Sequence, residues 1–377
     1  MKKILTSTAL VGSLVLLSAG ISNAQTTVTG NLAMSYKATS TDQTAADKKA
    51  GNNRTFGKES QINLTHTNKL SNGMGLVAGF SLEFDGSDAA PVNVSSATNA
   101  GNSVRGVTNE NTFIDIIAGN TTITFGADHM QNPDNTVTNL VGVADPDDII
   151  SGIAGGTATL YSPGKNSAYQ AYQVGITQTT PIGKFSIGYA PDATTGQANS
   201  DTQGYGTTNA VTNYDVDESR MEIGFVGNLG VKDLTVQAFY NKEDNAGRKS
   251  LDTTRSSDQK GKMFAARYNL GTVALAYERG ETTSLAAITN KSNSFGVSFA
   301  AAKDITIGAN YTKTDTDRVA ANSSLGAATA DEKIKSVSVG YNLGPIVVGL
   351  SYGEVEGYNG IVSQDGKAVR LDTNVRF

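Results

Sequence analysis

The sequence predicts an all-β protein, a sixteen-stranded antiparallel transmembrane β-barrel with short periplasmic turns and long external loops. Three observations predict this fold. The chain starts with a segment typical of export, its apolar residues alternate with polar ones along most of its length, and its connections alternate between short and long. The composition agrees with a wall that is apolar on one face only, since 38% of the residues are hydrophobic and 17% are charged.

The first 24 residues have the features of a secretory signal peptide. Two lysines precede an apolar run at 4–17, and the small residues Ser22 and Ala24 follow it. A positively charged start, a short apolar core and small residues before the cleavage point are typical of such a signal. We therefore expect residues 1–24 to be removed and residues 25–377 to form one barrel domain.

Composition and charge exclude several classes of protein. The chain has no cysteine and two histidines, so disulfide scaffolds, cysteine-bound metals and thiol nucleophiles are excluded. The formal net charge of −5 becomes −7 when the two lysines of the leader are removed, because the leader has no acidic residue. A chain with this balance is a poor partner for nucleic acid.

Strict period-two alternation predicts the strands. Val28, Leu32, Met34 and Tyr36 share one face of the first segment, while small and polar residues occupy the other. No run approaches 18 apolar residues, so a membrane helix after the leader is not expected. In lipid, a closed barrel is the other structure that satisfies every backbone donor and acceptor. The pattern recurs at 76–84, 185–189, 234–240, 273–277, 295–299, 305–311 and 346–352.

The lengths of the connections predict the number and order of the strands. Seven short turns and eight long connections join sixteen strands in hairpins, which fits an even-numbered transmembrane barrel. The short turns are predicted at 68–73, 119–120, 180–183, 228–231, 269–271, 301–304 and 342–345. The long connections are predicted at 38–55, 85–109, 129–168, 191–218, 243–260, 281–292, 315–332 and 357–366.

Aromatic residues at the strand ends predict two girdles at the lipid interfaces. Strands that run toward the long connections end in Tyr36, Phe84, Tyr189, Tyr240, Tyr277, Tyr311 and Tyr352. Strands that run the other way end in Phe225, Tyr268, Phe299, Tyr341 and Phe377.

The hairpin at 111–126, the segment at 180–192 and the terminal Phe377 resemble the Gram-negative general porins, and most closely the α-proteobacterial type. The resemblance covers essentially the whole chain after the leader. It implies an outer-membrane homotrimer of sixteen-stranded barrels in which the third long loop folds inward and narrows the pore. It also implies that Phe377 is part of a terminal signal for the barrel-assembly machinery.

The candidate pore residues are acidic in the third long loop and basic on the wall. Asp145, Asp147 and Asp148 lie in the 129–168 connection, and carboxylates in a narrow pore attract cations and repel anions. By strand parity, the inward-facing bases are Lys37, Arg220, Arg267, Arg370 and Arg376. Arg370 is expected nearest mid-height. A lipid-facing arginine at the midplane would cost about 2–4 kcal/mol, so inward placement is favoured.

We expect a water-filled channel for passive diffusion of small hydrophilic solutes and ions, with weak cation selectivity. Two alternatives stay open. One is a solute-specific porin with a saturable binding track, and the other is a structural or adhesive barrel with a closed pore. The partners that we expect are outer-membrane lipid, the assembly machinery and further copies of the chain.

Enzymatic and cofactor roles have little support in the sequence. Residues 349–353 match the nucleophile-elbow pattern Gly-x-Ser-x-Gly, but they lie inside an alternating strand and no histidine follows Ser351. Acidic pairs such as Asp315 with Asp317 could bind calcium at external loops, yet no twelve-residue calcium loop with a terminal Glu is present. We expect no enzyme activity and no cofactor.

Overall fold

The computed structural model describes residues 24–41, 53–83, 108–127, 172–190, 219–243, 259–283, 288–318, 327–362 and 364–377. These residues form sixteen strands and one short 3-10 turn. The strands are β1 Gln25–Thr41, β2 Asn53–Lys69, β3 Gly75–Glu83, β4 Thr108–Ala118, β5 Thr121–Ala127, β6 Tyr172–Thr180, β7 Gly183–Ala190, β8 Arg220–Gly227, β9 Leu234–Glu243, β10 Gln259–Leu270, β11 Val273–Thr283, β12 Thr289–Ala302, β13 Ile305–Asp317, β14 Glu332–Asn342, β15 Ile346–Glu356 and β16 Gly366–Arg376.

The strands form one closed antiparallel barrel in which each strand pairs with its neighbours in the sequence. The predicted fold class and strand number are therefore confirmed. All seven predicted short turns separate the two strands of a hairpin, and all of them lie at the same rim, called here the short-turn rim. The opposite rim, where the long connections begin and end, is called the long-connection rim.

The barrel closes where β1 pairs with β16. The register runs from Asn31 opposite Arg376 to Thr41 opposite Gly366. Beyond the last strand residue, the Phe377 amide donates to the Gly30 carbonyl at 3.1 Å, and the Gly30 amide donates to the Phe377 carbonyl at 2.8 Å. Closure gives every described strand a hydrogen-bonded neighbour on both sides.

Successive residues alternate between an outward apolar face and an inward polar one. The β7 residues Ile187 and Tyr189 are 57% and 51% exposed, while Ser186 before them and Ala190 after them are buried. Paired aromatic rings lie on the outward face near both rims. Tyr36 with Phe56 and Tyr277 with Phe295 lie toward the long-connection rim, and Phe185 with Phe225 lies toward the short-turn rim.

A β-bulge sets the parity of β4. The register between β3 and β4 shifts between Gly79 and Ser81, and Asn111 has a positive φ of 51°. The bulge adds one residue to β4. Residues from Phe113 onward therefore face the opposite side of the wall from the side that strict alternation from the start of β4 predicts. Phe113 is buried and Ile114 is exposed, which places Asp115 on the inward face.

Several strands are longer at the long-connection rim than the sequence predicts. The first connection is predicted to begin at residue 38, but β1 continues to Thr41. Asp315 and Asp317, predicted in an external connection, lie on β13. Antiparallel pairing satisfies the backbone in water as well as in lipid, so the ladder continues past the apolar band from which strand ends are predicted.

A 3-10 turn at Tyr358–Gly360 follows β15. The Tyr358 amide donates to the Gln364 carbonyl at 2.8 Å, and the Gly357 amide donates to the Asp365 carboxylate at 2.8 Å. Among the described residues, no helix is long and apolar enough to cross a membrane.

Substitution of Gly30 tests the closing seam. A Cβ at Gly30 would lie 2.6 Å from the Phe377 ring and 2.6 Å from the Gln61 carbonyl oxygen, and the second contact is with backbone that cannot rotate away. We expect Gly30→Val to destabilise the barrel by about 1–3 kcal/mol, the usual cost of overpacking. The measurement is the urea midpoint followed by circular dichroism. Met34→Val, on the same face of β1 and 55% exposed, is the control. A Gly30→Val barrel as stable as this control would contradict the expectation.

Candidate functional site

The inward face of the barrel is lined by small and polar side chains. Buried serines and threonines pair across neighbouring strands. The Ser294 and Thr312 hydroxyls are 2.8 Å apart, and those of Ser292 and Thr314 are 3.1 Å apart. Such a wall offers donors and acceptors to water and to polar solutes, in contrast to the apolar outward face.

Charged side chains of both signs lie on the inward face. Among the residues whose side chains the structure describes, seven bases and six acids lie there. The bases are Lys37, Lys69, Lys184, Arg220, Arg267, Arg370 and Arg376. The acids are Glu83, Asp115, Glu222, Glu278, Glu332 and Asp372.

Around the barrel, these charges fall into four sectors. Bases predominate on β16, β1 and β2, and again on β7 to β10. The acids Glu83 and Asp115 lie between these sectors on one side, and Glu278 and Glu332 lie between them on the other. Because sectors of unlike charge alternate around the wall, they produce a field between neighbouring sectors at the edge of the lumen.

Three of the five predicted bases lie on the two strands of the closing seam, and two of them are neighbours. Arg370 on β16 lies directly opposite Lys37 on β1, and its Nε donates to the Asp372 carboxylate at 2.7 Å. Arg376 has inward parity but lies at the short-turn rim, opposite Asn31. The strand register gives Lys37, Arg370 and Arg376 inward-facing positions, which is the face that strand parity predicts for them.

The other two predicted bases lie in the second basic sector. Arg220 on β8 makes an ion pair with Glu222 on the same face at 2.7 Å, and their side chains are only 2% and 7% exposed. Arg267 on β10 donates from Nε to the Asn269 side-chain oxygen at 3.3 Å. The structure does not bring Arg220 and Arg267 to the seam where Arg370 lies.

Sequence reasoning missed five of these inward charges, although strand parity alone would have found them. They are Lys69, Lys184, Glu222, Glu278 and Glu332. The sequence also offers Glu83 and Asp115 as inward acids, but strand parity leaves the face of Asp115 on β4 ambiguous. The structure places both inward, with Glu83 accepting from Gln61 at 2.8 Å and Asp115 from Thr124 at 2.6 Å. The predicted acidic residues of the third long loop, Asp145, Asp147 and Asp148, lie outside the described residues.

The residues considered for enzymatic or metal chemistry do not form a site in the described structure. Ser351 lies within β15, opposite Ser338 and Arg370. The Nδ1 atom of His66 on β2 is 3.0 Å from the Thr26 hydroxyl, and His129 lies outside the described residues. Within the described ranges, no group of three or more His, Asp or Glu side chains could hold a metal.

Comparison with protein families decides the assignment. A family model described as Gram-negative porin matches residues 6–247 and, in a second alignment, residues 173–374. The chain belongs to this family. Gram-negative porins are outer-membrane channels, so family and fold together identify this porin as an outer-membrane channel and point away from an enzyme.

Solved structures share the fold of this porin at low sequence identity. The high-pH structure of Pseudomonas putida OprB has a TM-score of 0.60 at 11% identity, covering 93% of this chain and 94% of its own. An anion-selective porin from Comamonas acidovorans has 0.59 at 11%, covering 94% and 100%. The trimer form of in-vitro folded OmpT, an outer-membrane protein of Vibrio cholerae, has 0.54 at 13%, covering 94% and 99%. No curated protein sequence matches the chain.

The buried Arg220–Glu222 pair is expected to stabilise the porin far more than an exposed pair does. Removing one partner of a buried ion pair costs about 3–5 kcal/mol, whereas exposed pairs contribute little. We therefore expect Glu222→Gln to lower the urea midpoint of unfolding clearly. The chain has no tryptophan, so unfolding is followed by circular dichroism.

The matched control for Glu222→Gln is Glu356→Gln. Glu356 pairs with Lys335 at 2.7 Å, but its side chain is 47% exposed on the outward face. The control should shift the midpoint only slightly. Equal shifts of the urea midpoint for the two variants would show that the buried pair stabilises the porin no more than the exposed pair does.

Proposed function

We propose that this porin is a water-filled channel for passive diffusion of small hydrophilic solutes and ions across the outer membrane, with weak cation selectivity. The observation that carries the proposal is the closed sixteen-stranded wall with a polar, charged inward face. A polar lining keeps water in the lumen. Solutes then cross without leaving water, and size and charge decide their relative rates.

The sector arrangement supports a role for charge in this diffusion. Arg370 and Lys37 lie in a basic sector, while Glu83 and Asp115 lie in the acidic sector that follows it around the wall. A field between such sectors orients dipolar solutes and slows those that cannot align. The bases Arg220, Arg267 and Arg376 are proposed as further pore-wall residues.

The sign of the proposed selectivity depends on the third long loop. The described wall carries inward charges of both signs, whereas Asp145, Asp147 and Asp148 add three carboxylates in four residues. We propose that these carboxylates line the constriction and favour cations. The Comamonas porin with this fold is anion-selective, so the sign must come from the charges of each chain and not from the fold.

Assembly is proposed to follow the pattern that the family resemblance implies. The trimer form of Vibrio cholerae OmpT, which shares the fold, supports a homotrimer. Phe377 completes the closing seam with Gly30, which supports its proposed role in recognition by the barrel-assembly machinery. Residues 1–24 are proposed to be the signal peptide that directs export before residues 25–377 insert into lipid.

Conductance in a planar bilayer tests the channel directly. Refolded residues 25–377 should give large ohmic steps that occur in threes, because each copy in a trimer contributes its own lumen. Silence from protein shown by protease protection to be inserted would reject the channel. Saturable block by one particular solute would instead indicate a solute-specific porin.

Neutralising the third-loop acids tests the selectivity. A unit charge about 4 Å away contributes about 1 kcal/mol in water, a roughly fivefold change in local ion concentration. Asp145→Asn/Asp147→Asn/Asp148→Asn should therefore lower the cation-to-anion permeability ratio by roughly two- to fivefold. The measurement is the reversal potential under a salt gradient.

The matched control removes three acids from another long connection, as Asp215→Asn/Asp217→Asn/Glu218→Gln. It changes the net charge by the same amount and should leave the ratio close to that of the unmodified channel. An equal fall in both variants would place the selectivity in the overall charge. An anion preference in the unmodified channel would reject the cation-selective constriction.

A further inference from the structure

The outward face of β10, β11 and β12 carries a basic pocket near the long-connection rim. The pocket has a volume of about 340 Å³ and a floor that includes the rings of Phe264 and Tyr277. Three bases and one acid lie around it. They are Lys262, Arg279, Lys291 and Glu281.

Two of the three bases are available to a ligand. Lys262 pairs with Glu281 at 3.1 Å, so the residues that line the pocket have an excess of two positive charges. Asp315 on β13 lies opposite Lys291 in the strand register and lowers this excess to one. Within the described part of the chain, neither Arg279 nor Lys291 has an ion-pair partner within 4.0 Å. An arginine fork beside a lysine is well suited to phosphate oxygens.

Bases on the neighbouring outward face are arranged differently. On β14 and β16, Lys335 pairs with Glu356 at 2.7 Å and Lys367 pairs with Glu354 at 3.3 Å. These cations are neutralised by carboxylates of the wall itself. The pocket differs from these pairs because neither Arg279 nor Lys291 is within ion-pair distance of a described carboxylate.

An apolar groove of about 620 Å³ continues from the pocket along the outward face. The groove and the pocket share Tyr277. Ala266 and Ala309 have short side chains between larger ones, and this difference in size makes the wall concave there. The outward-facing larger residues that border it are Leu234, Tyr268, Leu275, Phe295, Val297 and Tyr311.

The order of these features matches one leaflet of a membrane. The groove lies level with the apolar band. The pocket lies above the paired rings of Tyr277 and Phe295, where a lipid headgroup begins. The pocket is on the long-connection side, which faces outward from the cell in outer-membrane barrels. The adjoining leaflet is thus the external one.

We propose that the outward face of β10–β12 is a binding site for a phosphate-bearing lipid of the external leaflet. The phosphate binds Arg279 and Lys291, and Lys262, which pairs with Glu281, lies next to it. One acyl chain lies in the groove over Ala266 and Ala309. A lipid provides both the anionic group and the apolar chain that the two adjoining cavities require. This site lies on the outside of the wall, so it goes beyond the channel function and does not depend on it.

Native mass spectrometry of the refolded porin in detergent tests the site, with dimyristoyl phosphatidic acid and dimyristoyl phosphatidylcholine as probes. The porin should bind phosphatidic acid more tightly. Arg279→Gln/Lys291→Gln should weaken that binding by about 25-fold, because each base near an anionic lipid surface contributes about a fivefold effect. Phosphatidylcholine binding should not change.

Two further variants separate the sources of binding. Lys335→Gln/Lys367→Gln removes two outward bases that are already paired, and should change phosphatidic acid binding much less. Ala266→Leu/Ala309→Leu fills the groove and should weaken binding of both lipids. Loss of heat-induced mobility shift on gels would mark any variant that fails to fold. In that case Arg279→Lys/Lys291→Arg, which keeps both charges, serves as a folded comparison and should bind phosphatidic acid within a fewfold of the unmodified porin.

Three results would overturn the proposal. Unchanged phosphatidic acid binding in Arg279→Gln/Lys291→Gln would show that the pocket does not hold the phosphate. Binding that survives the filled groove but is displaced by inorganic phosphate would indicate a site for the free anion. Dissociation of the oligomer in either the pocket or the groove variant would show that this face binds a second copy of the chain.

Discussion

Backbone hydrogen bonding in lipid is the constraint on which the rest of this structure depends. A peptide group without a partner is costly in hydrocarbon, so the sheet must have no free edge. The pairing of β1 with β16 removes the last edge, and it fixes the register of both strands. Once the wall is closed, strand parity divides the residues into a lipid-facing set and a lumen-facing set. The polar lumen follows directly from that division.

Much of the fold was predictable because two local patterns report it directly. Alternation gives the strand faces, and the short turns give the pairing, so the placement of Arg370 and Lys37 on the inward face followed from parity. Parity fails where a strand contains an extra residue. The bulge at Asn111 is such a place, and the inward position of Asp115 could not be derived by counting. Strand ends were also misjudged, because the hydrogen-bond ladder continues beyond the apolar band.

Ion pairs have different surroundings on the two faces of the wall. Arg220 and Glu222 are almost completely buried on the inward face, where each charge depends on the other for the interactions that water would otherwise supply. Lys335 and Glu356 form an equally short pair at the outward rim, yet both are about half exposed. No sequence pattern distinguishes these two pairs, since the difference lies in how the surrounding strands exclude water. The contribution of an ion pair to stability can therefore be assigned only when the burial of its two side chains is known.

The contacts between Phe377 and Gly30 have a consequence for the order in which the strands pair. Gly30 in β1 also lies opposite Ile62 of β2, but its hydrogen bonds to Phe377 join the two ends of the strand order. Every other pair of neighbouring strands is consecutive in the sequence, so each of those pairs closes a shorter loop than the seam does. Because the entropy cost of closing a loop rises with its length, the seam is the most costly pairing to form and is expected to form last when the barrel folds.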